Sequence, residues 1–196
     1  PRDPLAHFNF AWWAARLGQF SRAIKAYEQA IALGISEPEE AMTNIASIYS
    51  ERLARAADAQ AWLQQALQSN ANYFPAVFTR AHLAEQLGDR DAAESGFTRA
   101  CQLQPNNPLP VARLVEATRL VRSSDSIVIQ LRQLSEACED PDVFYALARV
   151  EERLGNADAA WSALQTANRH DGKHSPTWPH ELIKKRYDPR KVHRIE

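Results

Sequence analysis

The sequence predicts an all-α protein, an α-solenoid of about five helix hairpins followed by a short C-terminal helix. The first observation is a Leu-Gly pair that occurs three times in register, with its glycine at Gly18, Gly88 and Gly155. These glycines lie 70 and 67 residues apart, which is close to two units of about 34 residues, a length typical of repeated helix pairs. The second observation is that prolines recur every 33–37 residues ahead of a helical pattern, at Pro4, Pro38, Pro75, Pro108 and Pro141.

Each hairpin is predicted from the same local chemistry. A proline is well tolerated in the first helical turn, because its missing N–H would have no partner within the helix. The glycine between paired helices supplies a left-handed backbone that other residues adopt only at a cost. We therefore expect a helical array over residues 1–169, with hairpins near 5–33, 39–69, 74–103, 109–138 and 142–169.

The second hairpin departs from this pattern. It carries the run from Ser50 to Arg55 in the region where the Leu-Gly pair would stand. The spacing from Ala30 to Ala66 is 36 residues, whereas Ala66 to Ala100 is 34. These spacings predict a longer turn between the two helices of this hairpin.

The fourth hairpin is the most degenerate. Its helices are expected near 109–121 and 125–138, with Arg122 to Asp125 in place of a glycine turn. Ser124 or Asp125 is predicted to cap the second helix, because a short polar side chain can accept an orphan backbone N–H there.

Small residues predict how the helices pack. Each regular second helix carries two alanines seven residues apart, on nearly the same face. The first set is Ala23, Ala59, Ala93 and Ala160, and the second is Ala30, Ala66, Ala100 and Ala167. Methyl-sized side chains at these points let neighbouring helices approach closely, while larger residues between them fill the remaining space, namely Tyr27, Leu63, Phe97 and Leu164.

Composition argues against several classes of function. The chain has 23 Lys plus Arg and 24 Asp plus Glu, so no strong overall field favours nucleic acid or an anionic membrane. No apolar run approaches the 18 residues or so that a membrane helix needs. Cys101 and Cys138 lack a nearby histidine and are read as structural thiols. Because no nucleotide-binding loop, hydrolase elbow or metalloprotease helix occurs, we expect no catalytic residue, cofactor or metal.

The repeated pattern resembles that of the tetratricopeptide repeat family over residues 5–169. The resemblance is strong in hairpins one, three and five, and the segment from Gln104 to Asn107 is similar to the family's typical repeat ending. It implies a right-handed α-solenoid whose first helices line a concave groove that binds peptides or other proteins. The expected role is therefore a non-catalytic protein-binding scaffold in the bacterial cytoplasm, without a nucleic-acid or membrane partner.

Register with the glycines identifies candidate groove residues. They are mostly aromatic and polar: Phe8, Asn9, Trp12, Asn44, Phe78, His82, Arg113 and Arg149. The same register predicts that Arg16, Ser47 and Glu51 face inward. Repeats of this family that clamp a terminal carboxylate need Lys or Arg at several of these positions, so the aromatic residues argue against that clamp. For Trp12 the groove and packing remain equal alternatives, and for Trp13 we expect packing, either against neighbouring helices or against a repeat that precedes this sequence.

The C-terminal half also resembles the repeat region that precedes the catalytic domain of bacterial tetratricopeptide-repeat sulfotransferases. The resemblance rests on segments 125–131, 142–149, 152–155, 158–161 and 166–169. In that family a phosphate-binding loop of Pro-Arg-Ser-Gly-Thr type follows the repeats, whereas the one Ser-Gly pair here, Ser95-Gly96, lies within a predicted helix. The alternative function is therefore the N-terminal repeat region of a sulfotransferase, with its catalytic domain beyond Glu196.

Residues 170–196 differ in character from the array. They contain a predicted loop and a short helix near 179–187 with the run Lys184-Lys185-Arg186. We expect this segment to be a capping helix or a linker to a downstream domain, since a solenoid needs a polar terminal element. The chain starts Pro-Arg-Asp without Met, and we expect it to be a piece of a longer protein.

Overall fold

The structure is a computed structural model that describes residues 2–118 and 122–171. Within these residues the chain forms ten α-helices and one π-helical turn, and no β-strand. The helices belong to two compact units, unit 1 (Pro1–Pro105) and unit 2 (Asn106–Glu196). The prediction of an all-α protein is confirmed.

Unit 1 contains three helix hairpins. They pair α1 (Pro4–Arg16) with α2 (Phe20–Ala32), α3 (Pro38–Ser47) with α4 (Ala56–Ser69), and α5 (Phe74–Gln86) with α6 (Arg90–Leu103). Pro4 and Pro38 open their helices as predicted, and the Asp3 side chain accepts the Leu5 backbone N–H at 3.0 Å. Gly18 and Gly88 join paired helices with φ of 74° and 77°, the left-handed region in which glycine avoids a steric cost.

The repeated alanines form the core of unit 1. Ala23, Ala30, Ala59, Ala66 and Ala100 are fully buried, and Ala93 exposes only 1% of its surface. The larger residues between them are also buried, namely Tyr27, Leu63 and Phe97. The sequence prediction of close packing around small residues is therefore confirmed for these positions.

The second hairpin closes with a left-handed alanine rather than with a longer turn. Ala54 has φ of 52° and stands five residues before Ala59, as Gly18 stands five residues before Ala23. Leu53-Ala54 thus occupies the place of the Leu-Gly pair, and the prediction of a longer turn was wrong.

One of the two extra residues lies instead in the π turn Ile48–Arg52, at the end of α3. After α1 the backbone N–H of Gln19 reaches back five residues to the Ala14 carbonyl. After the π turn the N–H of Arg55 reaches back six residues to the Tyr49 carbonyl, at 2.8 Å. A helix can absorb one inserted residue by widening one turn, so α4 keeps its register.

Gly96 allows α6 to approach α5 closely. A Cβ added to Gly96 would lie 2.7 Å from the Cβ and 3.2 Å from the Cα of Ala81. Neither atom of Ala81 can rotate away, because both belong to the backbone or are bonded directly to it. The contact therefore requires a glycine unless the two helices separate.

Unit 2 contains two hairpins, α7 (Pro108–Ala117) with α8 (Ser126–Ser135) and α9 (Pro141–Arg153) with α10 (Ala157–His170). α7 is shorter than predicted, because Thr118 has extended backbone with ψ of 130°. Asp125 occupies the N-cap position of α8, but its carboxylate accepts the Arg122 backbone N–H at 2.7 Å. Since that side chain makes no bond to the helix, the prediction that Ser124 or Asp125 caps α8 through its side chain was wrong.

A buried ion pair joins α8 and α9. The Nε and Nη2 atoms of Arg132 donate to the two carboxylate oxygens of Glu151 at 2.7 and 3.0 Å. Asn156 donates to the same carboxylate at 2.7 Å, and Glu151 is only 4% exposed. Burial alone would raise the pKa of Glu151, but the hydrogen bonds from Arg132 and Asn156 and the charge of Arg132 lower it.

The predicted short helix near 179–187, with its basic run, lies outside the described residues. Among the helices that the structure describes, none has the length and apolar character needed to cross a membrane.

The Ala54→Gly substitution should stabilise the protein. A Cβ costs about 1 kcal/mol at a left-handed residue, and glycine removes this cost. Part of the resulting stabilisation is lost, because glycine gives the unfolded chain more conformational freedom. We expect a gain of about 0.5 kcal/mol in the free energy of unfolding, measured by urea denaturation. Gly88→Ala is the reciprocal control and should lose about 1 kcal/mol, because nothing lies within 4 Å of its added Cβ and only the backbone is strained.

The Gly96→Ala substitution should destabilise unit 1. Alanine favours a helix by about 1 kcal/mol over glycine, but separating α5 from α6 at this contact should cost about 2–3 kcal/mol. A net loss of about 1–2 kcal/mol in urea denaturation is expected. Ser95→Ala, at the exposed neighbouring position, should be neutral, and a stable Gly96→Ala protein would contradict the close contact.

The Glu151→Gln substitution should lower stability in a pH-dependent way. At pH 7 it removes charge-assisted hydrogen bonds and leaves the Arg132 guanidinium unpaired, at a cost of about 1–3 kcal/mol. Because folding lowers the pKa of Glu151, its carboxylate contributes its full stabilisation of the folded state above the unfolded pKa of about 4. It fades as pH falls through the folded pKa.

Urea denaturation at pH 7 and at pH 3 gives the free energy of unfolding when this carboxyl group is ionised and when it becomes protonated. Glu152→Gln, at an exposed neighbouring position, should leave stability nearly unchanged at both pH values. An equal loss for Glu151→Gln at the two pH values would contradict the assignment of the ion pair.

Candidate functional site

A cleft in unit 1 combines elements of the first two hairpins. Its volume is about 240 Å³, and we call it the α1–α3 cleft because both first helices contribute to it. Its apolar wall consists of Trp12, Ala15, Phe20 and Ile48. Its polar side chains are Arg16, Asn44, Ser47, Glu51 and Arg52, with Tyr27 also in the lining.

Trp12 is the exposed aromatic residue of this cleft. It lies on α1 and exposes 41% of its surface. The guanidinium of Arg16, one turn further along the helix, lies over the Trp12 ring at 4.7 Å from its centroid. Such a cation–π contact restrains the arginine, whose charged group stays near the apolar wall.

Asn44 connects the cleft with the core. Tyr27, which is only 1% exposed, lines the cleft together with the Asn44 side chain. Burial raises the pKa of Tyr27 to about 12, with the charge of Glu40 adding to the rise and the Asn44 hydrogen bond opposing it. Tyr27 is therefore neutral at physiological pH.

The π turn supplies the other end of the cleft. Ile48, Glu51 and Arg52 belong to this turn and line the cleft together. Glu51 and Arg52 are both exposed. Arg52 was not among the predicted groove residues, because the 36-residue spacing reveals an insertion in this region but not the turn in which it lies.

The predicted groove residues of unit 1 have different surroundings. Trp12 and Asn44 line the α1–α3 cleft, and Asn9 is exposed on α1. Phe8 packs edge-on against Tyr27 with ring centroids 5.2 Å apart. Phe78 stacks on Phe74 and lies 5.6 Å from the buried ring of Phe97, while His82 is half-buried on the same helix. Phe8 and Phe78 thus have packing roles within their own hairpins.

Trp13, by contrast, is exposed. Its exposed fraction is 60%, and its ring meets Trp12 edge-on with centroids 4.9 Å apart. At the equivalent positions of the third and fifth hairpins, Leu83 and Val150 are buried. Within the described residues, Trp13 therefore does not pack against a neighbouring helix, and its packing against a preceding repeat stays a prediction.

In unit 2 the two predicted groove arginines share one carboxylate. Arg149 contacts Glu116 from α9, and Arg113 donates to the same carboxylate from α7 at 3.3 Å. Arg113 also lies 3.7 Å from the carboxylate of Asp142. Both arginine charges are therefore compensated within unit 2, so these residues form a balanced ionic cluster on α7 and α9.

The remaining chemistry-bearing residues form no candidate centre. Within residues 2–118 and 122–171, no group of His, Cys, Asp or Glu is arranged to hold a metal ion. Burial raises the pKa of Cys101 to about 11, so this thiol stays protonated and unreactive at neutral pH.

Comparison with known sequences identifies the repeat in two segments. The sequence model of the tetratricopeptide repeat matches residues 5–33 and 74–107, which correspond to the first and third hairpins. No curated protein sequence matches the chain.

Solved structures match nearly the whole chain. YrrB, described as a TPR protein with an unusual peptide-binding site, is 18% identical, with a TM-score of 0.64, and the match covers 95% of this chain and 93% of YrrB. TTC0263, a thermophilic TPR protein in Thermus thermophilus, is 16% identical with a TM-score of 0.65, covering 94% and 97% of the two chains. MamA from Desulfovibrio magneticus RS-1 is 11% identical with a TM-score of 0.66, covering 88% and 97%.

Likeness at this level of identity establishes the fold. The described part of this chain therefore has the all-helical fold of the TPR solenoids, and its first and third hairpins match the tetratricopeptide repeat itself.

Proposed function

We propose that this chain is a protein-binding scaffold whose α1–α3 cleft receives side chains of a peptide segment from a partner protein. The observation that carries the proposal is Trp12, a large aromatic residue that is 41% exposed on the wall of an open cleft. Tryptophan is prominent among the residues that dominate binding energy in protein interfaces. Its exposed ring offers apolar area whose burial by a partner is favourable.

The size of the cleft favours a peptide over a small-molecule substrate. At about 240 Å³ it is smaller than the roughly 300–1,000 Å³ typical of pockets that enclose a whole ligand. One or two side chains fit such a space while the rest of the segment lies on the surface. The amide of Asn44 and the hydroxyl of Ser47 offer hydrogen-bonding groups for the backbone of that segment.

The comparisons support this class of function at a coarse level. The fold is that of TPR proteins, and YrrB, one of the similar structures, is described as having a peptide-binding site. Binding in the cleft of this chain, and the participation of Asn9, His82, Arg113 and Arg149 in a wider groove, are our proposals.

The larger context of the chain stays a prediction. We infer that the array acts without catalysis, as an auxiliary part of a larger bacterial protein in the cytoplasm, with residues 170–196 as a cap or linker. The alternative, a sulfotransferase with its catalytic domain beyond Glu196, rests on the sequence resemblance, and no comparison adds support to it. The full reading frame would distinguish the two, because a sulfotransferase requires a downstream phosphate-binding loop.

The Trp12→Ala substitution tests the proposed function. Peptides selected from a displayed library on the purified chain would be measured by isothermal titration calorimetry. We expect Trp12→Ala to weaken binding by about 2 kcal/mol, or about thirtyfold, as for a central aromatic contact. Trp13→Ala is the matched control, because Trp13 is the adjacent and more exposed tryptophan on the same helix but does not line the cleft.

Circular dichroism should show the same helical content and melting temperature for both variants and the native chain. Equal affinity of the native chain and Trp12→Ala for every selected peptide would contradict binding in the α1–α3 cleft. Phe78→Ala is unsuitable as a second test, because Phe78 packs against two other rings in its hairpin.

A further inference from the structure

We infer that the α1–α3 cleft selects an acidic peptide, one with a carboxylate side chain beside an apolar residue, and that Arg16 and Arg52 bind the carboxylate. The inference rests on the proposed function, since it names the chemistry of the peptide that the cleft receives. Arg16 comes from the last turn of α1 and Arg52 from the π turn, and both line the cleft beside its apolar wall.

The charges of the cleft are unbalanced. Two guanidinium groups, Arg16 and Arg52, face one carboxylate, Glu51. Within the described part of the chain, none of the three forms an ion pair. Elsewhere in the described part of the chain, Arg55 pairs with Asp58 and Arg132 with Glu151. The cleft thus keeps a net positive charge that a partner's carboxylate would complement.

Helix capping does not account for these two arginines. A cation at a helix C-terminus often serves the last carbonyl groups. At the end of α1, however, backbone N–H groups already bond the carbonyls of Trp13, Ala14 and Ala15. After the π turn, the N–H groups of Leu53 and Arg55 bond the carbonyls of Ile48 and Tyr49. The guanidinium groups are therefore not needed to complete these helix ends.

The apolar wall strengthens the attraction between these arginines and a carboxylate. The guanidinium of Arg16 is held over the Trp12 ring at 4.7 Å, so it loses less conformational freedom on binding than a free arginine would. Phe20 and Ile48 add apolar surface to the same cleft. An ion pair beside apolar surface is screened less than one in open solvent.

The opposite end of α3 has the opposite charge. Glu39 and Glu40 lie in its first turn, whereas Arg52 lies in the π turn at its other end. Burial, and after it the neighbouring charges of Glu37 and Glu39, raise the pKa of Glu40, so three carboxyl groups lie near one another at that end. An acidic segment is therefore repelled from the start of α3 and drawn toward Arg16 and Arg52.

Two fluorescein-labelled peptides test the inference directly. One has the sequence SGEDLLEDG, and its partner SGQNLLQNG replaces each carboxylate by an amide of nearly the same shape. We expect the acidic peptide to bind the native chain at least about tenfold more tightly in fluorescence anisotropy, with affinity that falls as salt is raised. Arg16→Gln and Arg52→Gln should each weaken the acidic peptide about fivefold and leave the amide peptide unchanged.

Two further variants separate a local charge effect from other effects. Glu51→Gln should tighten the acidic peptide about two- to fivefold, because it removes a like charge from the cleft, a gain that loss of structure would not produce. Arg90→Gln makes the same charge change as the cleft variants at an exposed site outside the cleft, and it should have no effect.

The outcomes distinguish the inference from the proposed function. Equal binding of both peptides, weakened only by Trp12→Ala, would overturn the acidic preference while leaving peptide binding in the cleft intact. An equal loss in Arg90→Gln would also overturn it, because the attraction would then come from overall charge. If neither the labelled peptides nor any library-selected peptide binds Trp12→Ala less tightly than the native chain, the inference and the proposed function are both overturned.

Discussion

Close approach of paired helices through small side chains is the constraint on which the rest of the structure depends. The alanines of α2, α4 and α6 are buried because neighbouring backbones come too near for larger groups. At Gly96 even a methyl group would collide with Ala81. Helices held this close must be joined by abrupt turns, so a left-handed residue stands at Gly18, Gly88 and Ala54, although Ala54 adopts that conformation at a cost.

The same constraint explains the π turn and, through it, the cleft. If the extra residue of the π turn lay in α4, Ala59 and Ala66 would rotate away from their neighbours and the core would be lost. Widening the end of α3 instead preserves their burial. The widened turn also carries Glu51 and Arg52 to the cleft beside Trp12. The turn that preserves the packing of α4 thus also contributes charged residues to the cleft.

Ion pairing separates arginines with a structural role from those of the cleft. Arg132 ties α8 to α9 through a nearly buried carboxylate, and Arg113 shares Glu116 with Arg149. In each case the charge is compensated by the chain's own residues. Arg16 has an aromatic ring as its neighbour and Arg52 lines open space, so their charges remain available to a partner.

The sequence by itself determined the fold class, the hairpin pairing and most of the core. Gly18, Gly88 and the buried alanines recur at the interval of the helix hairpins, so their spacing predicts where each hairpin lies. Among the cleft residues it indicated Trp12, Arg16, Asn44, Ser47 and Glu51, since all follow from the register of the first two hairpins. Only the tertiary structure decided that the inserted residue forms a π turn, that Arg52 joins the cleft, and that Phe8 packs against Tyr27. These outcomes depend on how neighbouring backbones share space, which a one-dimensional pattern of residue types does not encode.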